Sequence, residues 1–300
     1  MASSELQLVL QMLQGNPLEG ERPPEEMRAG LEAMAGTFAL EPDVCVEPLT
    51  VAGMRAEWIT TPAVSPAHTI LYLHGGGYVV GSLNTHRDLG ARLGRDAGTR
   101  VLTIDYRLAP EHPHPAAVDD AVSAYRWLLA QDVAPERIAI AGDSAGGGLT
   151  IATLLALRDR GLPLPRCGVC FSPWVDLEGT GTSMDEITND PMLNRALIQH
   201  FARFYLTGGV DPRNPLAAPL HADLAGLPPL LIQASRHEVL RDDAVRIADK
   251  ARAAGVDCTI ELTDEVPHVW QIFASILPEA RQALASAGAF LRKRFGLPPA

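Results

Sequence analysis

The residues Gly142-Asp143-Ser144-Ala145-Gly146 follow the pattern Gly-x-Ser-x-Gly. They lie between a run that predicts a strand over 137–143 and a run that predicts a helix over 145–160. A serine on such a sharp turn projects its hydroxyl from the carboxyl edge of a sheet, and a side chain at either glycine would strike neighbouring backbone. The segment is typical of a nucleophilic serine, and the alternative is a chance match.

A second glycine-rich segment, His74-Gly75-Gly76-Gly77, ends a predicted strand 70 residues before the serine. Consecutive glycines let backbone N–H groups turn toward a reacting oxygen without obstruction by side chains. A plain turn and a phosphate-binding loop are the alternatives. A phosphate loop requires Gly-Lys-Ser/Thr or Gly-x-Gly-x-x-Gly at the start of a helix, and this segment has neither. Two such motifs, each at a strand end, make coincidence improbable.

A serine of ordinary pKa needs a histidine as base, and the histidine needs an acid that orients it. For a serine in this pattern both partners follow later in the chain. Four histidines do so: His200, His221, His237 and His268. His268 follows the last predicted strand through a short loop and immediately precedes the final helix, so we predict it to be the base.

The orienting acid is expected just after the predicted strand 229–235. Glu238 lies three residues beyond the end of that strand, whereas Asp242 and Asp243 lie a turn further on, inside a predicted helix. We predict that Glu238 holds the histidine tautomer and stabilises the imidazolium. Asp242 is the alternative.

The elements that must position these residues alternate between strand and helix. Such an order predicts an α/β fold in which helices cover both faces of a mostly parallel sheet, with ligands bound beyond the carboxyl ends of its strands. The predicted strands are 44–51, 55–61, 69–74, 100–106, 137–143, 167–174, 229–235 and 258–263, and the helices between them 85–97, 116–131, 145–160 and 239–254.

Two segments break this rhythm within what we expect to be a single domain of residues 1–300. Residues 1–40 read as helical, with Leu6, Val9, Leu10 and Leu13 at the spacing of an amphipathic helix. Residues 178–228 are too long for an ordinary connection and contain an amphipathic helix over 192–206, with Asn189-Asp190-Pro191 as its predicted start. One last helix is predicted over 269–295.

Composition excludes several other classes. The 300 residues carry 25 Lys and Arg against 36 Asp and Glu, a net charge of −11, which disfavours nucleic-acid and anionic-membrane partners. No run approaches the length of a membrane span, and the beginning lacks a basic signal region. Cys167 and Cys170 fall in a predicted buried strand, which places their side chains on opposite faces and disfavours a disulfide or zinc site. A reducing cytoplasm is the expected compartment.

The chain resembles the hormone-sensitive-lipase-like branch of the α/β-hydrolases, the bacterial esterases with HGGG and GDSAG motifs. The segments that carry the resemblance are His74–Tyr78, Asp105–Pro113, Gly142–Gly147 and Pro267-His268. It implies Ser144 as nucleophile, His268 as base, and an oxyanion hole formed by the N–H groups of Gly76, Gly77 and Ala145. It also implies that residues 1–40 and 178–228 form a helical cap. Where the family has a pattern resembling D-P-L-R-D, this chain has Glu238-Val-Leu-Arg-Asp242, so glutamate replaces the usual aspartate.

The resulting expectation is a serine carboxylesterase that acts on short-chain acyl esters through an acyl-enzyme. Neither a metal nor an organic cofactor is implied. Tyr78 and Tyr205 are candidate pocket residues, and Asp105, Arg107 and Glu111 are expected to form a local ion-pair network. An amide or peptide hydrolase with the same triad and a non-catalytic ligand receptor are the alternatives. The predicted strand 258–263 should be an exposed edge through which two copies could pair.

Overall fold

The computed structural model describes residues 3–14, 22–35, 40–62 and 64–299. The strands in these ranges are β1 (Cys45–Val51), β2 (Met54–Thr60), β3 (Ser65–Leu73), β4 (Thr99–Ile104), β5 (Ile138–Asp143), β6 (Cys167–Phe171), β7 (Leu230–Ser235) and β8 (Cys258–Thr263). They form one sheet in the order β1-β2-β4-β3-β5-β6-β7-β8. β2 is antiparallel to both of its neighbours, and the pairs from β4 to β8 are parallel. The predicted fold class is confirmed.

Helices occupy the connections between the parallel strands, as predicted, and further helices precede the first strand and follow the last. Those in the described ranges are α1 (Ser4–Gln14), α2 (Pro24–Ala35), α3 (Leu83–Ala97), α4 (Ala116–Ala130), α5 (Ala145–Asp159), α6 (Ser183–Glu186), α7 (Arg195–Tyr205), α8 (Arg241–Ala253) and α9 (Pro278–Phe295). Helix α3 begins with a reciprocal cap, in which the Ser82 and Thr85 side chains each bind the other residue's backbone N–H. These two bonds fix the start of α3 at Leu83, a short loop after the glycine-rich segment.

Alternate residues of the central strand β3 face opposite sides of the sheet, as the two-residue period of a strand requires. Leu71 and Leu73 pack in a buried cluster with residues of α4, α5 and α8. Ile70 and Tyr72 pack in a second cluster with residues of α1, α3 and α9. Helices therefore cover both faces, and the sheet is held as a rigid support for the loops at its edge.

The prediction of a single helix over 269–295 is wrong. A 3-10 helix covers Trp270–Phe273, and α9 begins only at Pro278. Two backbone features cause the break. Val269 has the left-handed φ of 47°, and Leu277 is extended (φ −87°, ψ 118°) because a residue before proline disfavours the helical conformation. Pro278 then occupies the first position of α9, where its missing N–H costs nothing.

The predicted start of the cap helix at 189–191 is also wrong. Helix α7 begins after Asn194, whose side chain accepts from Leu197 N at 2.9 Å. Asp190 closes a turn before the helix, since its Oδ1 accepts from Met192 N at 2.9 Å. Both residues are good cap formers, and only the fold decides which of them starts the helix.

The N-terminal helices are attached to the rest of the chain at defined points. Helix α1 buries Leu6, Val9 and Leu13, which confirms its predicted amphipathic face. Ser3 Oγ donates to Glu279 at the start of α9, at 3.0 Å. In α2, Arg28 forms an ion pair with Glu111 at 2.7 Å and donates to the Val79 carbonyl at 2.8 Å. Residues 1–2, 15–21 and 36–39 of the predicted N-terminal segment lie outside the described residues.

Three further sequence predictions concern the strands and the bilayer. Cys167 and Cys170 are buried free thiols in β6, as expected for core positions. β8 lies at the edge of the sheet and keeps the predicted boundaries. Among the helices that the structure describes, none is both long enough and apolar enough to cross a membrane.

Candidate active site

The residues selected from the sequence follow strands whose carboxyl ends share one edge of the sheet. His74 follows β3, Ser144 follows β5, and Glu238 and His268 follow β7 and β8. Because β3 to β8 are parallel, the loops that carry these residues open on the same side. The topology therefore gathers four segments that are distant in sequence.

Ser144 lies on a strained turn between β5 and α5. Its backbone has φ 53° and ψ −120°, a conformation that non-glycine residues rarely adopt. Its N–H donates to the Phe171 carbonyl at 2.8 Å, and its carbonyl accepts from Trp174 N at 3.0 Å. A Cβ at Gly142 would overlap the Gly146 carbonyl, and one at Gly146 would overlap that of Leu73. The steric prediction made for both glycines is confirmed.

Glu238 and His268 form a buried pair. His268 Nδ1 donates to Glu238 Oε2 at 2.6 Å, and the two side chains are only 4% and 0% exposed. Ser235 N donates to the other carboxylate oxygen, Oε1, at 3.1 Å. Both oxygens of Glu238 are therefore acceptors in fixed bonds, and one of them fixes the tautomer and orientation of the imidazole.

The electrostatics of His268 suit a base. Burial alone would lower the pKa of His268, but the Glu238 carboxylate, with further contributions from Asp190 and Asp143, outweighs it and raises that pKa above the ordinary 6.5. Asp190 belongs to the 178–228 insertion, and its Oδ2 accepts from Val239 N at 2.9 Å. The insertion thus places a carboxylate beside the loop that carries Glu238.

The alternative acid and the other histidines are engaged elsewhere. Asp242 Oδ2 accepts from Thr182 Oγ1 and from Ser183 N, both at 3.0 Å. His237 accepts from Glu265 N, His221 lies 3.7 Å from Glu178, and His200 lies on α7, 3.3 Å from the Arg22 carbonyl.

The glycine-rich loop departs from ordinary backbone geometry where glycine is required. Gly76 and Gly77 have φ values of 113° and 60°. The Gly76 carbonyl accepts from Val79 N at 3.0 Å and Val80 N at 2.9 Å, so the loop closes on itself directly after the glycines. A Cβ at Gly77 would overlap the Phe201 ring of α7, so helix α7 packs closely against this loop.

The two candidate pocket tyrosines stack on each other. The rings of Tyr78 and Tyr205 are 3.7 Å apart and 5° from parallel, and each residue is 1% exposed. His114 Nδ1 lies 3.2 Å from the Tyr205 hydroxyl, and burial raises the pKa of Tyr78 above its ordinary value. Tyr205 is on α7, so this stack is a second contact between helix α7 and the glycine-rich loop.

The local ion-pair network predicted for Asp105, Arg107 and Glu111 is wrong. Asp105 accepts from Leu83 N at 3.0 Å, at the start of α3. Arg107 pairs with Asp120 of α4 at 2.7 Å, and Glu111 pairs with Arg28 as described above. Each of the three residues joins its segment to a different helix instead of to the other two.

Sequence reasoning missed the partners of Asp143. The structure places the Asp143 carboxylate among Tyr72, Gly75 and His86. A histidine at the start of the helix after a glycine-rich loop was the available signal, but its partner is 57 residues away in the chain.

Comparisons with known proteins agree with this geometry. Residues 70–272 match a family described by the α/β-hydrolase fold. The chain is 46% identical to an acetyl-hydrolase of Streptomyces hygroscopicus, over 99% of each chain, and 36% identical to an ethyl acetate hydrolase of Pseudomonas putida, over 74% of this chain and 72% of the relative. A crystal structure of an esterase from the bacterial hormone-sensitive lipase family superposes with a TM-score of 0.96 at 51% identity, covering 99% and 100% of the two chains. The chain therefore belongs to the α/β-hydrolase family, in its hormone-sensitive-lipase-like branch.

Proposed function

We propose that this protein is a serine carboxylesterase that hydrolyses short-chain acyl esters through an acyl-enzyme intermediate. The observation that carries the proposal is the buried Glu238–His268 pair at 2.6 Å, on the sheet edge where Ser144 occupies its strained turn. An acid, a base and a serine in this relation are the parts that acyl transfer requires.

In the proposed reaction, the Ser144 hydroxyl attacks the ester carbonyl while His268 Nε2 takes its proton. Glu238 stabilises the imidazolium, and the N–H groups of Gly76, Gly77 and Ala145 bind the oxyanion. Collapse of the tetrahedral intermediate expels the alcohol, which takes the proton from His268. Water, activated by the same histidine, then attacks the acyl-enzyme and releases the carboxylic acid and free Ser144.

Two observations support a short acyl group. Two relatives, an acetyl-hydrolase and an ethyl acetate hydrolase, are named after small acyl groups. The Phe201 ring lies against Gly77 of the proposed oxyanion hole, where it limits the space next to the reacting carbonyl. We therefore expect the highest kcat/KM for acetate to butyrate esters.

Residues 1–40 and 178–228 form the proposed cap over this site. The contact between His200 and the Arg22 carbonyl joins the two parts. Helix α7 contacts the glycine-rich loop through Phe201 and Tyr205. A cap in this place bounds the substrate and limits how much water surrounds the reacting groups.

Two further predictions from the sequence are part of the proposal. A homodimer formed through edge strand β8 is supported by that strand's position at the end of the sheet. A cytoplasmic location is supported by the four cysteines, all of which are free thiols. Gel filtration with light scattering tests the first, and fractionation of the producing cells tests the second.

The decisive experiment measures turnover of p-nitrophenyl esters from acetate to dodecanoate by wild type and by Ser144→Ala. We expect activity concentrated at the short end and nearly abolished in the variant. Retained turnover in Ser144→Ala would refute the assignment of Ser144 as the nucleophile. Faster cleavage of a matched amide would indicate an amidase, and failure of a serine-directed phosphonate to label the wild type would indicate a receptor.

A further inference from the structure

A buried group of polar side chains lies beneath the glycine-rich loop. The Asp143 carboxylate, in a residue that is 2% exposed, accepts from the Tyr72 hydroxyl at 2.7 Å and from Gly75 N at 3.1 Å. Its second oxygen accepts from His86 Nε2 at 3.2 Å. Asp143 directly precedes the serine, so one carboxylate links the nucleophile's turn to the loop of the proposed oxyanion hole.

The backbone of that loop is held on both sides of Gly75. Its N–H is bound by Asp143, and its carbonyl accepts from His74 Nδ1 at 2.7 Å. The His74 carbonyl in turn accepts from the Tyr106 hydroxyl at 2.7 Å. A Cβ at Gly75 would overlap the Asp143 carboxylate, so the contact is as close as a glycine permits.

His86 is the partner that connects this carboxylate to helix α3. It is 5% exposed, and its Nδ1 lies 2.7 Å from Thr85 Oγ1 in the first turn of the helix. Burial alone would raise the pKa of Asp143, but His86 and the Tyr72 hydroxyl outweigh it and keep that pKa below the ordinary 3.8. Without His86, a buried carboxylate would lose its partner on Oδ2 and would have to protonate or move.

We propose that His86 is a positioning residue for the reaction: it holds the Asp143 carboxylate, which fixes Gly75 and so aims the Gly76 and Gly77 N–H groups at the developing oxyanion. The inference rests on the proposed function. A hole displaced by a fraction of an ångström binds the tetrahedral oxyanion less well while ground-state binding changes little. The role therefore predicts a loss in kcat and not in KM.

The test compares His86→Ala with His86→Gln, whose amide nitrogen can replace Nε2 as the donor to Asp143. We expect about a 10- to 100-fold loss of kcat in His86→Ala at nearly unchanged KM. The Ki of a trifluoromethyl ketone, which forms a tetrahedral oxyanion on the serine, should rise by the same factor. His86→Gln should recover most of both losses, and His112→Ala, at an exposed loop histidine, should match wild type.

Tyr72→Phe removes a second donor to the same carboxylate and keeps the test decisive if His86→Ala does not fold. It should lower kcat and raise the ketone Ki in the same proportion. The inference is overturned if the folded His86 and Tyr72 variants keep the wild-type Ki, if their loss lies in KM alone, or if His86→Gln is as poor as His86→Ala. Absence of ester turnover in the wild type would instead refute the proposed function.

Discussion

Replacement of Glu238 by glutamine removes the charge of the proposed orienting acid and changes almost nothing of its shape. In the native pair, Glu238 Oε2 accepts from His268 and Oε1 accepts from Ser235 N. A glutamine has only one acceptor oxygen. If that oxygen faces His268, the NH₂ group of the glutamine meets the Ser235 N–H. If that oxygen faces Ser235, the NH₂ group faces His268, and the imidazole must take the other tautomer. The first arrangement leaves the buried Ser235 N–H without an acceptor, and the second protonates Nε2 of His268, which then cannot accept the serine proton.

The expected cost follows from the charge that forms on His268 during catalysis. The imidazolium that develops lies 2.6 Å from Oε2 in a site closed to water. Where an orienting carboxylate is exchanged for its amide in a serine triad, kcat falls about 10⁴-fold, which is about 5 kcal/mol of transition-state stabilisation. We expect a loss of that order for Glu238→Gln, with KM changed by only a few-fold.

The assay is turnover of p-nitrophenyl acetate across pH 5–9, corrected for active-site concentration. In wild type, kcat/KM should fall as pH drops below the raised pKa of His268, because the protonated imidazole cannot accept the serine proton. Glu238 is the main cause of that raised pKa, so the acid limb should move to lower pH in Glu238→Gln. Asp242→Asn is the matched control, since Asp242 binds Thr182 and Ser183 instead.

The control should keep wild-type kcat and the wild-type acid limb. A Glu238→Gln enzyme within tenfold of wild-type kcat would refute the assignment of the acid. So would a larger loss in Asp242→Asn, which would transfer the role to that residue. An unmoved acid limb would show that another group sets the pKa of the base.

Three other predictions concern stability and substrate range. Gly146→Ala should lower the free energy of unfolding in urea by at least about 3 kcal/mol, because its Cβ overlaps the Leu73 carbonyl. Gly30→Ala is the control: its Cβ meets nothing within 4 Å, so the free energy of unfolding should rise by up to about 1 kcal/mol. Burial raises the pKa of Asp243 from 3.8 to about 8, so between these values the folded state holds a proton that the unfolded state has lost. The stability of the wild type should therefore decline as pH rises from about 4 to 8. Thermal melts of Asp243→Asn should lack that decline. Phe201→Ala should shift the acyl-chain profile toward longer esters, and an unchanged profile would contradict the role given to that ring.

The parts of the site that the sequence predicted are those encoded over short distances. The turn around Ser144 needs glycines two residues to either side, and His268 needs only to follow the last strand. Strand and helix types were equally accessible, because apolar periodicity is local. The alternation of the chain then indicated which loops share an edge of the sheet.

The missed features depend on pairings between distant segments. His86 and Asp143 meet only because β3 and β5 pair and α3 starts beside them. Arg107 had several acids within reach of its sequence neighbourhood, and packing of α4 selected Asp120. The break before Pro278, by contrast, could have been predicted locally, because a residue before proline disfavours the helical conformation. The sequence prediction followed the continuous apolar stripe instead.

Helix α7 and the glycine-rich loop share one packed interface, so the two parts are not interchangeable modules. Phe201 lies on Gly77, and Tyr205 stacks on Tyr78 at 3.7 Å. Consider a chimera in which residues 178–228 come from another esterase whose segment lacks these two aromatic side chains. Its glycine-rich loop would lose both packing contacts, and it should lose turnover of even the smallest ester. Recombination of substrate range in this scaffold must therefore carry both ring positions with the donated segment.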